Sequence, residues 1–498
     1  MKKHFASVMA CILICTMLLA SCGEPTPTTQ PGTNVPTTAA TQTAPVSTGE
    51  PEEVPDIPAP DDLGFDGQEL TILVWKAAGR NTVNDNDDFF DEADAETMSG
   101  QAVYEAGIER QRILEDKYGI TINVVVTSDK VSEKYSNAYN SGDVAWDIIA
   151  PVINDVPSLL MTNSIMELGN LDYLDITKTY WDRGLTDALA IDGKSYILSG
   201  DISTMDEETN ICVAYNRTLG EECGIDPFPY IEKGEWTMDV MYELAKKVTK
   251  DLDGGGVMDK NDRYGIGHQY GSGTILLQGS GELYAKLNED GVPELTLNNA
   301  RVHDILEKLS EIYNDKQATG LLPGVYASWS ELNSAMVAGK ICFRPANIYN
   351  LMEYLLMEDE FTVLPMPKYE KEQDEYHHLV LTNGCIGYCV PASTDRTEFI
   401  SIMLEELAYY GRKLITPAYY ESYISARLTT DQKTAEMFDI IFATKTWDLG
   451  YVFDWGGMKA VLTQAMESGG FSSKYDTVKD KAQSAMEESY NAIHEAIN

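Results

Sequence analysis

Residues 251–262 place Asp251, Asp253, Asp259 and Asp262 at the first, third, ninth and twelfth positions of a twelve-residue run. Gly256 takes the sixth position and Val257 the seventh. Carboxylates at this spacing, a glycine at the sharp turn and a backbone carbonyl next to it are the oxygen ligands that wrap a calcium ion. Gly255, at the fifth position, brings no side-chain ligand and leaves a gap for water. The plainer reading is an acidic, Gly-rich turn between a helix and a strand. Nothing nearby reads as catalytic, so an ion held here would be structural. Elsewhere the chemistry-bearing residues are diffuse. With 79 acidic residues, carboxylate pairs suited to glycoside hydrolysis abound and none stands out. There is no Gly-x-Ser-x-Gly elbow, no Ser-Lys motif and no cysteine in a nucleophile context.

The 251–262 run resembles the calcium loop of EF-hands, and more closely the dockerin version, which ends in Asp. The five cysteines beyond Cys22 are Cys212, Cys223, Cys342, Cys385 and Cys389. Cys385 and Cys389 lie four residues apart in what reads as a strand, about 13 Å, too far for a disulfide. All five read as small buried hydrophobes. The six histidines include no zinc-type spacing, and His377-His378 reads as part of a solvated loop.

The chain has 498 residues and a net charge of −42. Such acidity repels nucleic-acid phosphates and anionic membrane surfaces alike. The strongly apolar run lies at the N-terminus, which argues against a polytopic membrane protein. Lys2 and Lys3 precede an apolar stretch from about Phe5 to Ala20, ending Leu19-Ala20-Ser21-Cys22. This resembles the lipobox of bacterial lipoproteins, which implies removal of residues 1–21 and a lipid anchor on Cys22. Cleavage removes two lysines and no acid, so the remaining chain is more acidic still. Residues 22–66 then read as a tether: positions 24–60 hold nine prolines, nine threonines and no aromatic residue. Such a segment buries too little apolar surface to offset its ordering entropy.

The elements that would position a site begin after the tether. Strands are expected at 70–75, 121–126 and 146–150, with helices at 101–118 and 130–140 between them. That alternation predicts a parallel sheet with crossover helices, and ligands sit beyond the carboxyl ends of such strands. A second α/β region starts near Asn210, with a strand at 211–215 and a helix at 237–249 capped by Thr237. Val302, Ile305, Leu306, Leu309, Ile312 and Tyr313 form a core stripe. Strands at 341–343, 361–367 and around Cys385 follow, then helices at 394–409, 431–443 and 474–496.

Several landmarks recur in the same order in a known family. They are Leu70–Trp75, Asp147-Ile148-Ile149 ahead of Asn154-Asp155, Asp192-Gly193-Lys194-Ser195-Tyr196, and the strand ending Tyr215-Asn216. Later come Ala335–Lys340, Val363–Pro367 and Trp455-Gly456-Gly457. From about residue 67 the chain resembles the extracellular solute-binding proteins of bacterial ABC importers, in the sugar-binding branch that includes maltose-binding protein. The resemblance implies an α/β, two-lobe periplasmic-binding-protein-like fold of type II, with discontinuous lobes joined by a hinge. Lobe one would be 67–205 plus 361–415, and lobe two 206–360 plus 416–498. It implies no catalysis, no required cofactor, a monomer, a carbohydrate ligand and ABC permease partners. Lipobox and tether fit the Gram-positive form, on the outer face of the cell membrane.

Sugar sites need aromatic platforms and planar polar groups in a cleft. Carried over by position, the expected ligand-binding residues are Trp75, Lys76, Asn154 and Asp155 from lobe one. Thr204, Asp206 and Glu208 come from the crossover, and Arg344, Asn347 and Trp455 from lobe two. The family counterpart of Trp455 stacks on sugar, and that of Asp155 binds it. Where the family has an aromatic after the proline of the lobe-two strand, this chain has Ala346, which puts maltodextrin specificity in doubt. Trp181, Trp236 and Trp447 read as core, and Trp329 is undecided. Lys76 with Arg344 would favour a uronate, and a peptide ligand also stays open. The competing functions are a surface glycan-binding or sensor protein without transport, and a lipid-anchored glycan-degrading enzyme.

Overall fold

The computed structural model describes residues 54–75, 101–269 and 274–497. Cys22, Lys76 and most of the expected tether lie outside them. Strands β1 (Glu69–Trp75), β2 (Thr121–Thr127) and β3 (Ile148–Ala150) form a parallel sheet in the order β2-β1-β3. β1 runs Leu70, Ile72, Leu73 and Val74 fully buried, a continuous apolar strand of the kind covered on both faces. Helices Gln101–Tyr118 and Val131–Ser141 make the two crossovers. Gly119, at φ 66°, ends the first in the left-handed conformation that only glycine adopts without strain.

The segment around Cys385 adds to the same sheet. Ile149 bridges Cys389, Val152 bridges Ile386 and Leu198 bridges Tyr388, all antiparallel. Gly200 bridges Trp181 in turn, so the layer widens on the side away from β2. The five cysteines among the described residues are free.

The second sheet has the order β10-β4-β9-β5-β8. Its members are β4 (Ile211–Asn216), β5 (Tyr264–Gln269), β8 (Thr319–Leu322), β9 (Ile341–Asn347) and β10 (Phe361–Leu364). A hairpin of β6 (Ala285–Leu287) and β7 (Pro293–Leu295) stands apart. Helix Ala300–Asn314 turns its stripe of Val302, Ile305, Leu306, Leu309, Ile312 and Tyr313 into the core, as its spacing predicts. The Asn299 side chain caps it by accepting from the Val302 N–H at 2.9 Å. Thr237 caps helix Met238–Val248 in the same way.

Three expectations are corrected. Residues 60–66, counted as tether, are folded: Pro60–Leu63 is helical, and Phe65 is buried edge-on to Phe399 at 4.9 Å. β10, expected to open the second segment of lobe one, is the edge strand of the five-stranded sheet, antiparallel to β4. His378 is buried in β11 (His378–Leu379), which pairs with β12 (Lys445–Thr446). Its Nε2 accepts from the Met366 N–H at 3.0 Å and its Nδ1 lies 2.7 Å from Thr444 Oγ1. A ring used on both nitrogens has reason to be buried in a way that its polar neighbours in sequence do not reveal.

Candidate functional site

The two sheets are joined where the chain crosses between them. Asn210 bridges Val380, and the Leu381 N–H donates to Thr209 O at 3.0 Å. The Ile348 N–H, just past β9, donates to Asn210 O at 3.1 Å. Thr382 Oγ1 donates to Asn154 Oδ1, just past β3. The carboxyl ends of β3 and β9 therefore meet around one crossover, the place where a ligand can touch both sheets.

Asn154, Thr204, Asp206, Glu208 and Asn347 lie on or beside the elements that meet at this crossover. Helix Met205–Glu208 packs on the turn Ile348–Asn350. Glu208 is buried, with Thr204 Oγ1 3.5 Å from its carboxylate. Two tyrosines unforeseen in the sequence join it. Tyr423 donates to Ile348 O at 3.5 Å, and the rings of Tyr419 and Tyr423 stack at 5.0 Å. Burial first, and the charge of Glu208 second, push both hydroxyls well above the usual tyrosine range. They sit on a run of π-helical turns from Gly411 to Leu428, interrupted by Thr416–Tyr419. Such turns break the 3.6-residue period and hide from pattern reading. The usable signal was composition: Tyr409, Tyr410, Tyr419, Tyr420 and Tyr423 within fifteen residues.

Asp206 is wholly buried beside Lys445 of β12. Lys445 Nζ also lies 2.9 Å from Asp182 and 3.4 Å from Glu207. Burial alone would lower the pKa of the lysine, but Asp206, Glu207 and Asp182 outweigh it and hold that pKa well above the usual value. Burial and the charge of Asp206 push Glu207 up. A polar cavity of about 260 Å³ adjoins this group, lined also by Trp181, Asp201 and Arg412.

Other expected residues lie elsewhere or are otherwise engaged. Trp75 ends β1, half-buried. Asp155 is partly exposed and tied to Ser132 Oγ at 3.2 Å and Lys130 Nζ at 3.4 Å. Arg344 does not reach the crossover: it is buried under helix Trp329–Val337, donating to Asn333 Oδ1 at 3.1 Å with Trp329 above its guanidinium at 4.5 Å. Trp455 is buried against Phe453, ring to ring at 4.6 Å, and its Nε1 donates to Ser489 Oγ at 3.1 Å. The turn made by Asp454, Gly456 and Gly457, all at positive φ, folds it onto helix Lys479–Ile497. Its face is used for packing, so Trp455→Phe should leave ligand affinity unchanged and cost about 1 kcal/mol of stability for the lost hydrogen bond. Calorimetric titration alongside thermal melting checks this. Trp181, Trp236 and Trp447 are core residues whose ring nitrogens donate to Glu405, Pro365 O and Asp182.

In the acidic loop, carboxylate oxygens of Asp251, Asp253 and Asp262 lie within 4.8 Å of one another. Asp251 accepts from the Gly254 and Gly256 N–H groups, and Asp262 from those of Leu252 and Asp259. Asp259 instead caps its own turn through Asn261 N–H, and the Val257 side chain is exposed. Three of the four expected carboxylates converge.

No protein-family model matches the chain, and no curated protein matches it in sequence. Solved structures do match. A cyclo/maltodextrin-binding protein complexed with maltotetraose is 14% identical, covering 87% of this chain and 98% of its own, with a TM-score of 0.56. UspC of M. tuberculosis is 15% identical, covering 84% and 100%, with a TM-score of 0.55. The ABC substrate-binding protein Lmo0181 from Listeria monocytogenes, in complex with cycloalternan, is 15% identical, covering 87% and 99%, with a TM-score of 0.51. With its two α/β sheets joined through a shared crossover, the chain has the two-lobe fold of the maltose-binding type of solute-binding protein.

Proposed function

We propose that this protein is a lipid-anchored extracellular receptor that captures a carbohydrate between its lobes and delivers it to an ABC permease, without chemistry of its own. The observation that carries the reading is the crossover itself, where Thr382 reaches Asn154 past β3 and the Glu208 helix packs on the turn that follows β9. Solved neighbours in complex with cycloalternan and with maltotetraose support the choice of ligand class. A ligand that touches both lobes only when they close favours closure by its differential affinity. That cycle requires no cofactor, and an ion in the 251–262 loop would serve only the turn ahead of β5. Diacylation of Cys22 is the proposed anchor, since so acidic a chain cannot be held electrostatically at an anionic surface. A thermal-shift screen against oligosaccharides tests the reading. A cognate sugar at a hundred times its Kd should add about 2.7 kcal/mol of stability. No shift with any glycan, together with measurable glycan cleavage, would favour the enzyme instead.

A further inference from the structure

A second cleft, of about 490 Å³, opens on the first sheet beside Glu69, Trp146 and Asp395. These residues stand at the amino ends of β1 and β3, the pole opposite the crossover. A proline opens it. The segment around Cys385 pairs antiparallel with β3 at Val152–Ile386 and Ile149–Cys389. The same register would next set Asp147 against Pro391, which has no N–H to give. Asp147 turns to β1 instead, its N–H donating to Thr71 O at 2.8 Å and its carboxylate accepting from the Thr71 N–H at 2.9 Å. Beyond Pro391 the other segment leaves for Ser164, whose carbonyl accepts from the Ala392 N–H at 2.9 Å. The pair has come apart, and both sides line the cleft. Among the described residues, the backbone N–H and C=O groups of Val144, Ala145 and Trp146 have no hydrogen-bond partner. The guanidinium in the lining is already engaged: Arg396 donates to Asp147 at 2.6 Å, Gln68 Oε1 at 3.1 Å and Glu69 O at 2.9 Å. Glu69 and Asp395 are exposed and form no ion pair among the described residues. The Trp146 ring is half-buried, with Lys134 Nζ 5.9 Å from its centroid.

We propose that this cleft docks an extended basic peptide, a segment of a partner protein that lies along Val144–Trp146. Backbone hydrogen bonds to an unpaired stretch of chain supply affinity without regard to sequence, and side-chain sites beside it supply the choice. Three residues of extended chain span about 10 Å, and Glu69, Asp395 and the Trp146 face then meet the lysine or arginine side chains of the segment. Charge decides among the possible occupants. A second copy of this chain carries −42 and is repelled. The stretch 24–60 of the chain itself holds no lysine or arginine to offer. β1 leads away from the cleft to Trp75, and helix Gln101–Tyr118 returns from that far end to Gly119, beside Gly67. The proposal is independent of what the crossover binds.

Calorimetric titration of the full chain with an end-blocked hexapeptide alternating lysine and valine is the test. The controls are the glutamate–valine counterpart and free lysine amide. The lysine peptide should bind about tenfold or more tightly than either control, and more weakly as salt is added. Glu69→Gln together with Asp395→Asn should weaken it about fivefold, through the loss of two exposed charge pairs. Ala145→Pro, which removes one backbone N–H, should also weaken it about fivefold. Neither change should alter the thermal shift produced by a sugar, which separates this site from the crossover. No binding of the lysine peptide, or equal binding of either control, would overturn the proposal and leave the receptor reading standing. Parent-like binding by the Glu69→Gln, Asp395→Asn variant would overturn the assignment to this cleft. Should a variant fail to fold, the comparison of peptides on the unmodified chain still decides.

Discussion

Replacing Lys445 by methionine is expected to cost about 3–5 kcal/mol of stability. Methionine fills nearly the same space, so lost packing contributes little. The loss comes from the three carboxylates that surround the ammonium. Asp206 is fully buried, and Asp182 and Glu207 show little more of their side chains to solvent. Removing the one cation among them leaves like charges in a medium that solvates them poorly. One Asp206 oxygen already lacks a hydrogen-bond partner among the described residues. The charged residues span the Trp181–Gly200 edge, the crossover helix and β12, which makes the network a tie between parts of the chain far apart in sequence. Adding Asp206→Asn to Lys445→Met should recover part of the loss, since it removes one of the stranded charges. Urea unfolding of the two variants measures both effects. A loss below about 1 kcal/mol for Lys445→Met would show that the carboxylates do not depend on the lysine.

The second large effect is with pH. Burial lowers His268, with a smaller contribution from the Arg344 charge, and burial lowers His378, with a smaller contribution from His377. Both are pushed down to about 3 from an ordinary value of 6.5. The folded chain therefore keeps both rings neutral while the unfolded chain protonates them below pH 6.5. The unfolded state then binds more protons, so stability is full above pH 6.5 and falls as pH drops toward 3. At pH 5 the loss is about 2 kcal/mol for each ring, or about 4 together. Buried carboxylates pushed up by desolvation, such as Asp147, Glu405 and Asp448, act in the opposite sense and protect the fold in acid. The clean readout is consequently a difference. His268 packs beside Tyr313 at 4.5 Å between ring centroids, with no hydrogen-bond partner among the described residues on either nitrogen. His268→Phe should keep the packing and remove its share of the pH dependence. Relative to the parent, the variant should gain about 2 kcal/mol on going from pH 7 to pH 5. Parallel stability profiles for parent and variant would contradict the assignment.

The strand–helix alternation of the first sheet was legible because β1 and β3 are continuous apolar runs and their helices end at Gly119 and Gly142. Helix Ala300–Asn314 was legible from its stripe alone. Legibility fell off where a residue's role depends on contacts remote in sequence. Strand alternation puts Arg344 and Phe343 on opposite faces of β9 but does not say which face meets the ligand. Arg344 turned out to lie under a helix. Trp455 had the right neighbours for an exposed loop, and only the turn at Asp454–Gly457 shows that it folds back on Ser489. His378 sits in a polar stretch, yet Met366 and Thr444 draw it inside. Lys445 and Asp182 are 263 positions apart, and no local pattern pairs them. Asp206 and Glu208 were expected on the crossover and Asn347 on lobe two; they lie on helix Met205–Glu208 and at the end of β9.

The central claim is that one carbohydrate is held between the two sheets and closes them. Small-angle scattering of the full chain, with and without the best oligosaccharide from the thermal screen, tests it most directly when paired with calorimetric stoichiometry. The account predicts one ligand per chain and a smaller radius of gyration at saturation, with the sugar recovered intact. Saturable binding with no compaction, or release of shortened sugar, would contradict it.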